Sequence, residues 1–183
     1  QFKRVLLYFI AEIGHTFSAD NIMKYMKSEK RTVSSETLYN YIDYCKTACL
    51  IHMAAREDVI GKKLLKFQDG IREAIYGNNM RDIQQILENI VYMELLRRGY
   101  DVYIGKVGQK EVDFVARSGA DKCYVQVTYL LANEETVERE FSVLEQIPDN
   151  YPKYVVSMDE INRGRNGIKH MNIRKFLLME HYM

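Results

Sequence analysis

Apolar residues recur at helical spacing through the first stretch of the chain. Phe2, Val5, Leu6, Phe9, Ile10 and Ile13 fall on one face, and Gly14 ends that predicted helix. Ser18 carries the side-chain oxygen to cap a second helix, whose apolar stripe is Ile22, Met23 and Met26. Ser34 or Ser35 caps a third, running over residues 36–48. Residues 50–56 lose the helical period and read as extended, and Gly61 turns the chain into a second extended run at 62–67. Three helices followed by a two-stranded hairpin outline a winged helix, a variant of the helix-turn-helix.

The pattern changes beyond Asp69. Residues 70–76 read as a short helix and Asn78 and Asn79 as a turn. Residues 81–98 form a long helix that buries Ile83, Ile86, Leu87, Ile90, Val91, Leu95 and Leu96, with Gly99 just past its end. Arg97 and Arg98 complement the dipole of its last turn. Three strands are predicted at 100–106, 111–117 and 122–130, joined by tight turns at Gly108 and Gly119. An acidic amphipathic helix at 133–146, strands at 151–158 and 168–173, and a terminal helix at 174–179 complete the chain. The expected architecture is mixed, α+β or α/β: a winged-helix domain at 1–66 and an αβββαβ sandwich at 67–183.

Charge sharpens this division. The 183 residues carry 26 Lys/Arg against 25 Asp/Glu, a net of +1, which excludes a generally basic nucleic-acid coat. Residues 1–66 hold 11 Lys/Arg and 7 Asp/Glu, however, and residues 67–183 hold 15 and 18. A mildly basic module is thus followed by a mildly acidic one. No apolar run approaches the roughly 18–20 residues of a membrane span. Three cysteines without special spacing suggest reduced thiols and a cytoplasmic setting, with Cys45 and Cys49 as small buried residues of one helical face. The chain begins at Gln1 without a signal peptide, which suggests a piece of a longer protein whose start lies upstream.

The first module offers a candidate nucleic-acid surface. Its third helix presents Ser35, Thr37, Asn40, Tyr41 and Tyr44, the hairpin brings Lys62 and Lys63, and Lys27, Lys30 and Arg31 lie nearby. Glu36 and Asp43 on the same helix oppose phosphate, so docking of a protein partner stands as an equal reading.

Three polar residues in the second module sit where packing alone would not put them. Glu88 falls in the apolar stripe of the long helix, Asp113 interrupts Val112-Asp113-Phe114-Val115, and Gln126 interrupts Tyr124-Val125-Gln126-Val127-Thr128. A buried carboxylate needs a partner or a cation, and a helix lying on two adjacent strands brings all three to one point. Oxygen ligands of that kind suit Mg²⁺ or Mn²⁺. His52 and His170 share no metal spacing and read as surface or packing residues, and residues 134–145 read as a solvated acidic face.

The order of Glu88 on a helix, Asp113 on the second strand and Gln126-Val127-Thr128 on the third resembles the PD-(D/E)XK nuclease fold. The resemblance implies a metal held by Glu88, Asp113 and the carbonyl of Val127. It also implies a lysine at the position of Thr128, where it would orient the attacking water. Lys122 is six residues away and Lys110 has the wrong strand parity relative to Asp113, so neither replaces it by alternation. The site residues Glu88, Asp113, Gln126 and Thr128 therefore describe a degenerate, nuclease-like module.

Further segments widen the resemblance. Ile86-Leu87-Glu88-Asn89-Ile90-Val91-Tyr92, Arg97-Arg98-Gly99-Tyr100-Asp101-Val102-Tyr103, the run from Gly105 to Val115, the run from Glu135 to Phe141 and Asn150-Tyr151-Pro152-Lys153-Tyr154 resemble the C-terminal half of certain prokaryotic AAA-type ATPases. These are the ATPases that carry the domain of unknown function 4143. The resemblance implies an ATP-binding domain upstream in the same polypeptide, then a winged helix and a nuclease-like domain. DNA, a protein partner or a second copy would be the ligand. No Gly-x-x-x-x-Gly-Lys-Ser/Thr occurs here, so ATP belongs to the upstream domain. The joint between Gln68 and Asp69 is shorter than the resemblance implies and points to a stretch absent from the sequence.

Overall fold

The structure is a computed structural model, in which residues 1–11, 18–48, 50–57, 65–68 and 83–183 are described. The chain divides into two compact units. The first holds the described residues up to Ala54 together with those from Leu65 to Gln68, and the second holds residues 55–57 and 83–183.

In the first unit, α1 (Phe2–Ala11), α2 (Ala19–Ser28) and α3 (Ser35–Thr47) form the expected helices. The caps are those of the sequence: Ser18 accepts from the amide of Asn21, and Ser34 rather than Ser35 accepts from the amide of Thr37. Val5, Phe9, Ile22, Met26, Leu38, Ile42, Cys45 and Ile51 make its core. The strands β1 (His52–Glu57) and β2 (Leu65–Gln68) follow. Gly61, Lys62, Lys63, Cys49, the expected short helix at 70–76, the Asn78–Asn79 turn and the joint at Asp69 lie outside the described residues.

The second unit is a five-stranded mixed sheet between helices. It is built from α4 (Ile83–Arg97), β3 (Asp101–Val107), β4 (Lys110–Ser118), β5 (Asp121–Val127), α5 (Glu134–Glu145), β6 (Lys153–Ser157), β7 (Lys169–Asn172) and α6 (Ile173–Leu178). Strand order is β3-β4-β5-β6-β7; β3, β4 and β5 form an antiparallel meander and β6 and β7 add in parallel. Residues 55–57 pair in parallel with the outer edge of β3. Gly99 ends α4 at φ 81°, with the amide of Tyr100 returning to the Leu95 carbonyl.

Alternating residues cover both faces. Val112, Val115, Tyr124 and Val155 pack with Val137, Phe141 and Leu144 of α5, while Phe114 meets Tyr92 of α4 and Tyr154 meets Phe176 of α6. Three expectations are corrected here. Ile90 is exposed and Tyr92 takes the buried place, because the face toward the sheet runs through Leu87, Val91, Tyr92 and Leu95. Strand β5 ends at Val127, and Tyr129 and Leu130 emerge into solvent. Glu140 leaves the expected solvated face of α5 and is buried.

That Val112 and Val115 share a face departs from strict alternation. The β3–β4 register moves from Tyr103↔Val115 to Gly105↔Val112, so Asp113 and Phe114 together oppose Ile104. This is a β-bulge. Gly105 accommodates it: a Cβ there would lie 2.8 Å from Val115 Cγ2 and 3.0 Å from Val112 Cβ.

Candidate functional site

The bulge also opens the β4–β5 ladder, whose last pair toward this end is Phe114↔Val125. Side chains take over the hydrogen bonds that the strands no longer make. The Val127 amide donates to Asp113 Oδ2 at 2.7 Å, and the Asp113 amide donates to Gln126 Oε1 at 3.3 Å. Gln126 in turn donates from Nε2 to Glu140 Oε2 at 2.9 Å, and Arg139 holds Glu140 Oε1 through Nε and Nη2. On the other face Gln84 Nε2 donates to Glu88 Oε1 at 3.3 Å and to the Val127 carbonyl at 3.2 Å.

Glu88, Asp113, Gln126 and Val127 are therefore joined in one hydrogen-bonded network. Gln84 and Glu140, which sequence reasoning missed, complete it. A cleft of about 510 Å³ opens onto the network, lined by Gln84, Lys110, Glu111, Asp113, Gln126, Arg139, Glu140 and Val143. It lies at the carboxyl end of β5, where open α/β sheets place their ligands.

Two details bear on chemistry. Thr128 is buried and its amide is paired with the Val156 carbonyl. Lys110, set aside on parity, does line the cleft together with Asp113, which stands in the bulge where regular alternation ends; the Lys110 ammonium donates to Ser142 Oγ at 2.8 Å. Lys122 is fixed at the far end of β5, 2.9 Å from Asp149 and stacked on Tyr124 and Tyr151. Burial works to raise the Asp149 pKa, but the Lys122 ammonium and the Tyr124 hydroxyl outweigh it and hold the carboxyl below its usual range.

The oxygen donors expected at this site have the hardness for Mg²⁺ or Mn²⁺. Their arrangement does not suit one, since Glu88 Oε1 and the Val127 carbonyl share the same amide donor and Asp113 Oδ2 is bonded to a backbone N–H. Among the described residues no group of three His, Cys, Asp or Glu side chains is placed to hold a metal.

A Ser-His-Asp set occurs elsewhere on the sheet. Ser157 Oγ lies 2.9 Å from His170 Nε2 and donates to Asp159 Oδ2 at 2.8 Å, while His170 Nδ1 accepts the Arg163 amide at 3.0 Å. An imidazole accepting at Nδ1 carries its neutral-state proton on Nε2, so it donates to the serine instead of receiving its proton. The serine hydrogen goes to the aspartate, the reverse of a nucleophilic triad. Of the expected surface or packing roles, His170 takes the second, buried and hydrogen-bonded within this set, and Asp159 also accepts the Leu131 amide.

In the first unit the predicted contact residues separate. Thr37 is half-buried, with its hydroxyl on Ser34, and Tyr41 packs edge-on against Phe2. Asn40 is exposed, as are Tyr39 at 52% and Tyr44 at 63%. Lys30 is exposed in a left-handed turn at φ 56°. Arg31 shares a cleft of about 490 Å³ with Gln1, Lys3, Arg4 and Leu7.

No family model matches the chain. It is 35% identical over 162 residues to an uncharacterised protein of Haemophilus influenzae, covering 85% of this chain and 40% of that protein. It is 31% identical over 141 residues to the uncharacterised protein MJ1544 of Methanocaldococcus jannaschii, covering 73% of this chain and 31% of that protein. The chain thus spans well under half the length of these curated relatives. Among the described residues no helix is long and apolar enough to cross a membrane.

Proposed function

We propose that the chain is a C-terminal module of a prokaryotic AAA-type ATPase of the kind carrying the domain of unknown function 4143. In this reading a winged helix at 1–66 engages nucleic acid or a protein partner, and the nuclease-like domain at 67–183 contributes binding without cutting. ATP and its hydrolysis belong to the upstream domain. One observation carries the reading: the motif residues meet in a single network at a cleft, yet Thr128 stands where a lysine would serve the attacking water, and the donor oxygens are bonded to N–H groups. The cleft lined by Lys3, Arg4 and Arg31 favours a phosphate backbone as partner of the first unit.

Incubation of supercoiled plasmid with Mg²⁺ or Mn²⁺ tests this reading. Wild type and Asp113→Ala should both leave the plasmid intact. In anisotropy titrations a labelled duplex should bind in a salt-dependent way that Arg31→Ala weakens. Cleavage that disappears in Asp113→Ala would replace this reading with a metal-dependent DNase. The observation favouring that alternative is Lys110, a cation on the same cleft as Asp113. Absence of any DNA binding would leave a protein partner or self-association, for which exposed Tyr39 and Tyr44 are the available aromatic contacts.

A further inference from the structure

Gln84 has the geometry of a plug. It lies one helical turn before Glu88 on the same face of α4, and its single amide nitrogen is bonded to two oxygens at once, Glu88 Oε1 at 3.3 Å and the Val127 carbonyl at 3.2 Å. An amide NH₂ has two hydrogens, one for each acceptor. Its positive pole therefore does for these oxygens what a small cation would do, without a charge that must be desolvated. We infer that the Gln84 carboxamide competes directly with a divalent cation for Glu88 and Val127, and keeps the site closed to metal while it is seated. The inference rests on the nuclease-like reading of this site and adds how that site is kept silent.

The competition has a definite magnitude. Displacing the Gln84 carboxamide breaks its hydrogen bond to a charged acceptor and its hydrogen bond to a neutral carbonyl, and returns it to water. Removing the amide should therefore tighten cation binding by about tenfold or more. Nothing in the core depends on the amide itself, because Gln84 is only half-buried and the apolar face of α4 is carried by Leu87, Val91 and Leu95.

The test is Mn²⁺ binding to the whole chain, followed by the electron paramagnetic resonance signal of free Mn²⁺, which reads occupancy independently of cleavage. Gln84→Ala is expected to bind at least about tenfold more tightly than wild type. Gln84→Glu, nearly isosteric and with a carboxylate in place of the amide, should bind more tightly still and covers the case in which the alanine variant fails to fold. Adding Glu88→Gln to either variant should abolish the gain. Equal affinity in wild type and Gln84→Ala, lost in both with Glu88→Gln, would overturn the plug while leaving a genuine metal site. Affinity that ignores Glu88→Gln in every background would overturn both the plug and the nuclease-like assignment. Failure of every folded variant to bind Mn²⁺ would overturn the plug and leave a degenerate module standing.

Discussion

Two polar networks occupy the carboxyl end of the sheet, one at the opening between β4 and β5 and one in the loop between β6 and β7. In the second, Ser157 is fully buried, His170 nearly so, and Ser157, Asp159, His170 and Asn172 are bonded to one another's loop and, through Asp159, to the Leu131 amide. It is sealed and has a structural task. In the first, Gln126 and Glu140 are equally buried, but the chain of bonds runs out through Asp113, Gln84 and Arg139 onto a cleft. Burial alone thus does not mark a site. What distinguishes the two is whether the network ends on protein or on solvent, and whether backbone hydrogen bonds were given up to build it.

The largest break in this comparison should come from Gln126→Leu. It leaves the Glu140 carboxylate with Arg139 alone and the Asp113 amide without its side-chain acceptor, at a cost of about 3 kcal/mol in urea unfolding. A loss below about 1 kcal/mol would mean that water already reaches both groups. Gly105→Ala should cost about 2 kcal/mol, since the new methyl meets Val115 and Val112 on the face the bulge created. A neutral outcome would show that the bulge relaxes freely. Ser157→Ala should cost about 1.5 kcal/mol, because it strands the His170 and Asp159 partners in the sealed network.

The sealed network should also respond to pH. Burial of the imidazole lowers the His170 pKa below its ordinary value, against the weaker opposing pull of Asp159. The unfolded chain then takes up a proton first as pH falls through about 6.5, so stability is complete above that value and declines below it, down to the folded pKa. His170→Gln should flatten the decline, measured as the urea midpoint between pH 7.5 and 5; an unchanged slope would assign it to other groups. The smallest effect is expected for Lys110→Ala, within about 0.5 kcal/mol, because Lys110 sits on the rim of the open network.

Much of the fold was legible because local rules and global packing agree. Ser18, Ser34, Asn133 and Gly99 stand where their capping chemistry requires, and the alternating strands carry one apolar face to each helix layer. Glu88, Asp113 and Gln126 were legible as polar interruptions of apolar runs. Gln84 and Glu140 were not, because a polar residue on an amphipathic helix carries no sign of the direction it faces. The place of Lys110 on the cleft was not legible either: alternation holds only where pairing is regular, and the bulge at Asp113 leaves no mark in the local pattern. Ile90 lost its place to Tyr92, whose larger ring is buried deeply enough to push its hydroxyl pKa to about 12.

The bulge at Asp113 and Phe114 has a consequence for how such a domain diversifies. Deleting one residue there would restore regular pairing and close the gap that Asp113 and Gln126 now bridge, while Lys110 and Glu111 would keep their partners Val107 and Lys106. A single-codon change in length would thus dismantle the bridged opening in one step, with Lys110, Arg139 and Glu140 left in place. Relatives that differ by one residue between Gly105 and Val115 should carry the same surrounding charges without the bridged opening.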